Sequence, residues 1–127
     1  MMLCFHLIGY IDNQLINESI NLFYEIKNPN DIIFILLFNA CAQLETNEAL
    51  NLVKTVSTKM PTSFYSNPHL LTSLLDALMK CGDVETAEIL FNKVKIKEIS
   101  MYGAMMKGMI TRRFQQMCNV IDQFRLY

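Results

Sequence analysis

A single spacing of apolar residues recurs four times along this chain and leaves few folds open to it. It reads Leu3, His6, Leu7, Tyr10, then Phe34, Leu37, Phe38, Cys41, then Leu71, Leu74, Leu75, Leu78, then Tyr102, Met105, Met106, Met109. Each set falls at i, i+3, i+4 and i+7, which lines one face of a helix. A second set follows each time: Ser19, Leu22, Phe23, Ile26; Ala49, Leu52, Val53, Val56; Ala87, Leu90, Phe91, Val94; Met117, Val120, Ile121, Phe124. First set to second is 16, 15, 16 and 15 residues, and pair to pair is 31, 37 and 31. One apolar face cannot be buried alone, so each pair predicts an antiparallel helical hairpin. Hairpins at this period stack on their neighbours, which predicts an all-α fold, an α-solenoid of about four hairpins with the end ones truncated.

The turn inside a hairpin is clearest at "LLDALMKCGDVETAEILFNKV", residues 74–94. Gly82 can take the left-handed conformation that closes a helix. Asp83 then offers an oxygen to the free N–H groups of a new helix, and Glu85 suits its first turn. Small residues share one register of the first helices, at Gly9, Ala40, Ala77 and Gly108. Something must approach closely there, most simply the partner helix of the same hairpin. Second helices open on Ser19, Ala49 and Ala87, and Met117 breaks that column. The connections are "KNPND" at 27–31 and "KMPTSFYSNP" at 59–68, the latter ending in a cap followed by a proline. Helices are predicted over 1–11, 15–27, 31–43, 47–59, 68–80, 84–95, 100–110 and 114–125. The repeats divide as 1–30, 31–67, 68–98 and 99–127, and the chain reads as a piece of a longer array.

Composition narrows the function. The chain of 127 residues is 52% hydrophobic, with 11 basic and 12 acidic residues and a net charge of −1. That is not the strongly basic footprint of a general nucleic-acid binder. The most apolar run, "IIFILLF" at 32–38, is too short to span a bilayer. The first basic residue is Lys27, so residues 1–26 read neither as a secretory signal nor as an Arg-rich transit peptide. The cysteines at 4, 41, 81 and 118 form no C-x-x-C and fall in different helical registers, which predicts buried, reduced thiols rather than a metal site. Two histidines, His6 and His69, give no H-x-E, and neither a phosphate-binding G-x-x-x-x-G-K nor a nucleophile-elbow G-x-S-x-G occurs. The expectation is a chain with no catalysis, no cofactor, no membrane segment and no small-molecule substrate.

With these residues in view, the chain resembles the pentatricopeptide repeat (PPR) proteins, in the plant-type subfamily that mixes short and long repeats. "LLTSLLDALMKCGDVETAEILFNKVKIKEISMYGAMMKGMI" looks like their KCGD turn, A-x-x-x-F and aromatic repeat opening, and "NPNDIIFILLFNACAQL" is similar to their longer variant. Tetratricopeptide repeats are the nearest rival, but their W-x-x-L-G-x-x-Y signature and even spacing are missing. The resemblance implies binding of single-stranded RNA at roughly one nucleotide per repeat, in organellar RNA processing, editing or stability. It implies a mitochondrial location, otherwise a cytoplasmic one. Base-reading pairs would be Cys4 with Asn30, Ile35 with Asn67, and Thr72 with Glu98, with Gly103 lacking a partner. Ile32, His69 and Ser100 would flank the base, and Lys80 would contact phosphate. Thr72 is a proper hydrogen-bonding reader, whereas Cys4 and Ile35 are not, and Glu98 stands where the family usually has Asp or Asn. Read without the resemblance, Lys80 is a solvated helix-end lysine and His69 an exposed neighbour of a proline. The alternative function is a helical-repeat scaffold with protein partners, a tetratricopeptide-like use that suits the near-neutral charge.

Overall fold

The computed structural model describes residues 2–13 and 15–125. Seven α-helices account for about four fifths of them: α1 (Met2–Asp12), α2 (Ile16–Glu25), α3 (Asp31–Leu44), α4 (Asn47–Thr58), α5 (Pro68–Lys80), α6 (Val84–Lys93) and α7 (Ile99–Arg125). No strand occurs among the described residues. The first six helices begin and end within about two residues of the predicted bounds, and polar side chains cap the starts of α3 to α6. Asn30 accepts from Ile33 N–H at 3.0 Å, Thr46 from Ala49 N–H at 3.1 Å, and Asp83 from Thr86 N–H at 3.2 Å. Asn67 caps α5, accepting from His69 and Leu70, with Pro68 at the first helical position. At the other end of α5, Gly82 takes φ +94°, Asp83 N–H donates to Leu78 C=O at 2.9 Å, and Gly82 N–H donates to Met79 C=O at 3.2 Å. That pair of bonds is a Schellman closure, and only glycine takes such a φ without strain.

The helices form two layers. α1, α3, α5 and α7 stack successively on one another, and α2, α4 and α6 lie behind them, which makes the chain an α-solenoid. The core runs along the first layer through Leu7, Phe34, Phe38, Leu70, Leu75 and Met101, all buried. The long connection earns its extra residues by packing. A 3-10 turn at Thr62–Ser66 lowers Phe64 onto Phe34, edge to face at 5.7 Å, and Phe23 meets the same ring at 5.6 Å. Cys41 and Cys81 are buried in this layer, with Cys81 Sγ donating to Cys41 C=O at 3.7 Å.

Two expectations need correction. The small column of the first helices does not mark contact with the partner helix throughout. A Cβ added at Gly108 would stand 2.6 Å from the Cβ of Met79 on α5, so the close neighbour is the preceding first helix. At Gly9 nothing lies within 4 Å of such a Cβ. At Gly108 the column reports stacking between repeats, where α7 crosses α5. Secondly, the last hairpin does not close. The helices expected over 100–110 and 114–125 are one continuous α7. Between Met109 and Met117 the chain reads "ITRRFQQ", with no Gly, Pro, Asn or Asp to stop a helix. Apolar periodicity alone does not bend the chain: five of the six connections carry a Gly, Pro or Asn or a capping side chain, the exception being "VKIKE" at 94–98. Met106, Ile110, Phe114 and Met117 of α7 are consequently exposed.

Candidate nucleic-acid interface

The N-terminal ends of α3, α5 and α7 carry nine of the sequence-predicted residues in three matched registers. Asn30, Asn67 and Glu98 each immediately precede a helix. Ile32, His69 and Ser100 are the second residue of their helices, and Ile35, Thr72 and Gly103 the fifth. Ile32, His69 and Ser100 are all exposed. Because the first-layer helices stack side by side, these registers repeat along one edge of the solenoid.

Side chains bond across both junctions, and between α5 and α7 two of the sequence-predicted residues meet. Thr72 Oγ1 donates to Pro68 C=O at 2.8 Å and lies 3.0 Å from Ser100 Oγ. A hydroxyl has one proton, so Ser100 is the donor of the second bond and Thr72 its acceptor. Thr72 thereby keeps one acceptor site and no donor. Glu98, two residues before Ser100, is exposed, and its backbone C=O accepts from Met101 N–H at 3.0 Å.

The other positions are less available. Asn67 Oδ1 caps α5, and its Nδ2 donates to Asp31 Oδ2 at 2.9 Å, which leaves one amide N–H. Asn30 Oδ1 is likewise occupied in capping α3. Ile35 is half-buried against the core and has no polar atom to offer. Gly103 is open, with nothing within 4 Å of an added Cβ. The side chain of Cys4 lies outside the described residues. Lys80 stands at the far end of α5, paired with Asp76 at 3.2 Å, about 18 Å along the helix axis from Pro68. Near it, Lys107, Thr111, Glu45 and Asp76 line a cavity of about 500 Å³.

Three features were not foreseen from the sequence: the Thr72–Ser100 bond, Asp31 as the partner of Asn67, and Lys107 beside Lys80. The signal for the first two was there. Asp31 and Ser100 stand at matched helix starts that stack, so the register of the repeats already placed them near the sequence-predicted Asn67 and Thr72.

Charge at this edge is mixed. Asp31 and Glu98 are acidic, while three helix N-termini direct their positive dipole ends to the same side. Elsewhere the expectation of buried thiols holds at Cys41 and Cys81 but not at Cys118, which is half-buried. Burial, with Cys81 nearby, pushes Cys41 up to about 12, and burial, with Glu45 nearby, pushes Cys81 up to about 11. Among the described residues no three His, Cys, Asp or Glu side chains gather as a metal site, and no helix is long and apolar enough to cross a membrane.

Stacked helical hairpins with polar residues registered at the helix starts define a helical-repeat protein. No family model matches the chain. It is, however, 31% identical over 104 residues to a mitochondrial pentatricopeptide repeat-containing protein of Arabidopsis thaliana, a match covering 79% of this chain and 15% of that protein. A chloroplastic pentatricopeptide repeat-containing protein of the same plant is 32% identical over 104 residues, covering 79% and 14%. A third of that name, also from Arabidopsis thaliana, is 33% identical over 110 residues, covering 81% and 20%. The chain belongs to the pentatricopeptide repeat family. It spans about a seventh of the length of the first two of these relatives.

Proposed function

We propose that this chain binds single-stranded RNA along the N-terminal edge of α3, α5 and α7, as part of a protein acting in organellar RNA processing, editing or stability. The observation that carries the reading is the Thr72–Ser100 bond, which sets a polar reading residue and a flanking residue together where two repeats meet. Membership of the family supports RNA as the ligand, and the mitochondrial and chloroplastic names of the relatives support an organelle.

Hydrogen-bond accounting gives the junction a preference. Thr72 offers an acceptor, and an ionised Glu98 carboxylate can only accept. Two acceptors suit a base edge with two donors, and guanine presents N1–H and N2–H on its Watson–Crick edge. Adenine, cytosine and uracil each present one donor group there. The remaining junctions add little, since Ile35 cannot hydrogen-bond and Asn67 is committed twice.

Affinity is therefore expected to be weak. Base stacking on an aromatic is worth roughly 1–3 kcal/mol, but Ile32, His69 and Ser100 stand in the flanking register instead. A net charge of −1 gives little phosphate attraction. Fluorescence anisotropy with short labelled RNAs at two salt concentrations tests this. The expected result is binding no tighter than high micromolar, better for a single guanine than for adenine, with the difference lost in Thr72→Val. Nanomolar, sequence-selective binding that Thr72→Val leaves unchanged would overturn it.

A further inference from the structure

We propose that the outer groove between α4 and α6 is a docking site for an acidic amphipathic helix of a partner protein. In the second layer α2 packs on α4, but α4 and α6 do not close on one another. The ion pair from Lys54 to Asp83, at 2.8 Å, bridges the gap at the start of α6. Beyond it opens a groove of about 750 Å³, floored by Leu71, Leu74 and Leu78 of α5. Ile89 of α6 lies 57% exposed on its wall, and Tyr65 stands where the 3-10 turn bounds it.

The shape suits a helix. The groove follows α6 along its 10 residues, about 15 Å at 1.5 Å per residue. Its walls are helix flanks separated within a helical layer, so the occupant that continues the layer is another helix with one apolar stripe. Charge selects the flanks of that stripe. The cationic residues on the lining are Lys54, Lys93 and Lys95, and no acidic residue lines it. Lys54 already has Asp83, while Lys93 and Lys95 make no ion pair among the described residues. A helix with Leu-type residues at i, i+3, i+4 and i+7 and Glu or Asp beside them would fill the floor and pair both lysines. The groove shares Pro68, Leu71 and Met101 with the helix starts assigned to RNA, but its lysines lie on and just beyond α4 and α6, and the inference does not depend on that assignment.

The test uses the whole chain and a designed, dye-labelled, stapled helical peptide with Leu at those spacings flanked by Glu. A second peptide carries Lys in place of every Glu. The acidic peptide is expected to bind saturably by anisotropy and to shift the amide resonances of Leu74, Ile89 and Lys93. In Lys93→Glu/Lys95→Glu its affinity should fall about tenfold, and the basic peptide should gain. Both substitutions are on the surface, an unchanged melting curve confirms folding, and the gain by the basic peptide cannot come from a misfolded variant. Equal binding of the two peptides, or none at millimolar concentration, overturns the proposal. So does saturation of the groove by laurate in preference to peptide, loss of RNA binding in the double variant, or a dimer of the chain that the double variant dissociates.

Discussion

Gly103 and Gly108 are five residues apart on one helix and obey opposite rules. Nothing lies within 4 Å of a Cβ at Gly103, so Gly103→Ala adds helix propensity and no clash. It should stabilise the chain by about 0.5–1 kcal/mol. At Gly108 the same atom would meet the Met79 Cβ at 2.6 Å, and a Cβ fixed to the backbone cannot swing away. Overpacking costs roughly 1–3 kcal/mol and exceeds the propensity gain, so Gly108→Ala should lower the midpoint of a urea melt while Gly103→Ala raises it. Both glycines were visible in the sequence as a small column and a reading position. The column marked Gly108 as packed but named the wrong neighbour, because Met79 of the preceding first helix, not the partner helix, lies against it. The same holds for Thr72, whose identity was legible but whose proton is assigned only by the distances to Pro68 and Ser100.

At the scale of the element, the cap on α6 couples a helix start to its neighbour. Partial burial raises the Asp83 pKa, but the hydrogen bonds from Lys54 and Thr86 and the charge of Lys54 outweigh it and hold the carboxyl below its ordinary value. A lowered folded-state pKa means stability that is fully present above the unfolded-state value of about 3.9 and lost as pH falls through the folded-state value. Lys54 is half exposed, so the pair itself is worth only about 0–1 kcal/mol. Asp83→Asn keeps a competent cap and removes the charge. The stability difference between wild type and Asp83→Asn, followed by chemical melts, should be level above about pH 5 and shrink towards pH 2. Asp83→Ala should cost about 1 kcal/mol more than Asp83→Asn at neutral pH through the lost cap. Helices α3 to α6 were readable because each carries a side-chain cap beside its apolar stripe. The seventh was misread as two, since 117–124 shows the stripe without the punctuation.

For the whole molecule, a continuous α7 sets a distance that a closed hairpin cannot reach. Spin labels at Tyr102 and Met117 are 15 residues apart, about 23 Å along a straight helix, against roughly 10 Å if the segment folded back on itself. With Cys4 and Cys118 replaced by Ser, the buried, protonated thiols of Cys41 and Cys81 stay unlabelled, and pulsed electron resonance should return the longer value. Stacking of first helices was legible as a repeat, whereas the gap between α4 and α6 was not. Neither that gap nor the seating of Phe64 on Phe34 is recorded in any periodicity. The central claim concerns an edge: three stacked helix starts that together face RNA. Titrating the isotopically labelled chain with a short guanine-containing single-stranded RNA and following backbone amides by NMR locates the contact directly. Shifts are predicted to concentrate at residues 30–35, 67–72 and 98–103, largest around Thr72 and Ser100. Shifts confined to the far end of α5 near Lys80 and Lys107, or to the groove beside α6, would contradict the account.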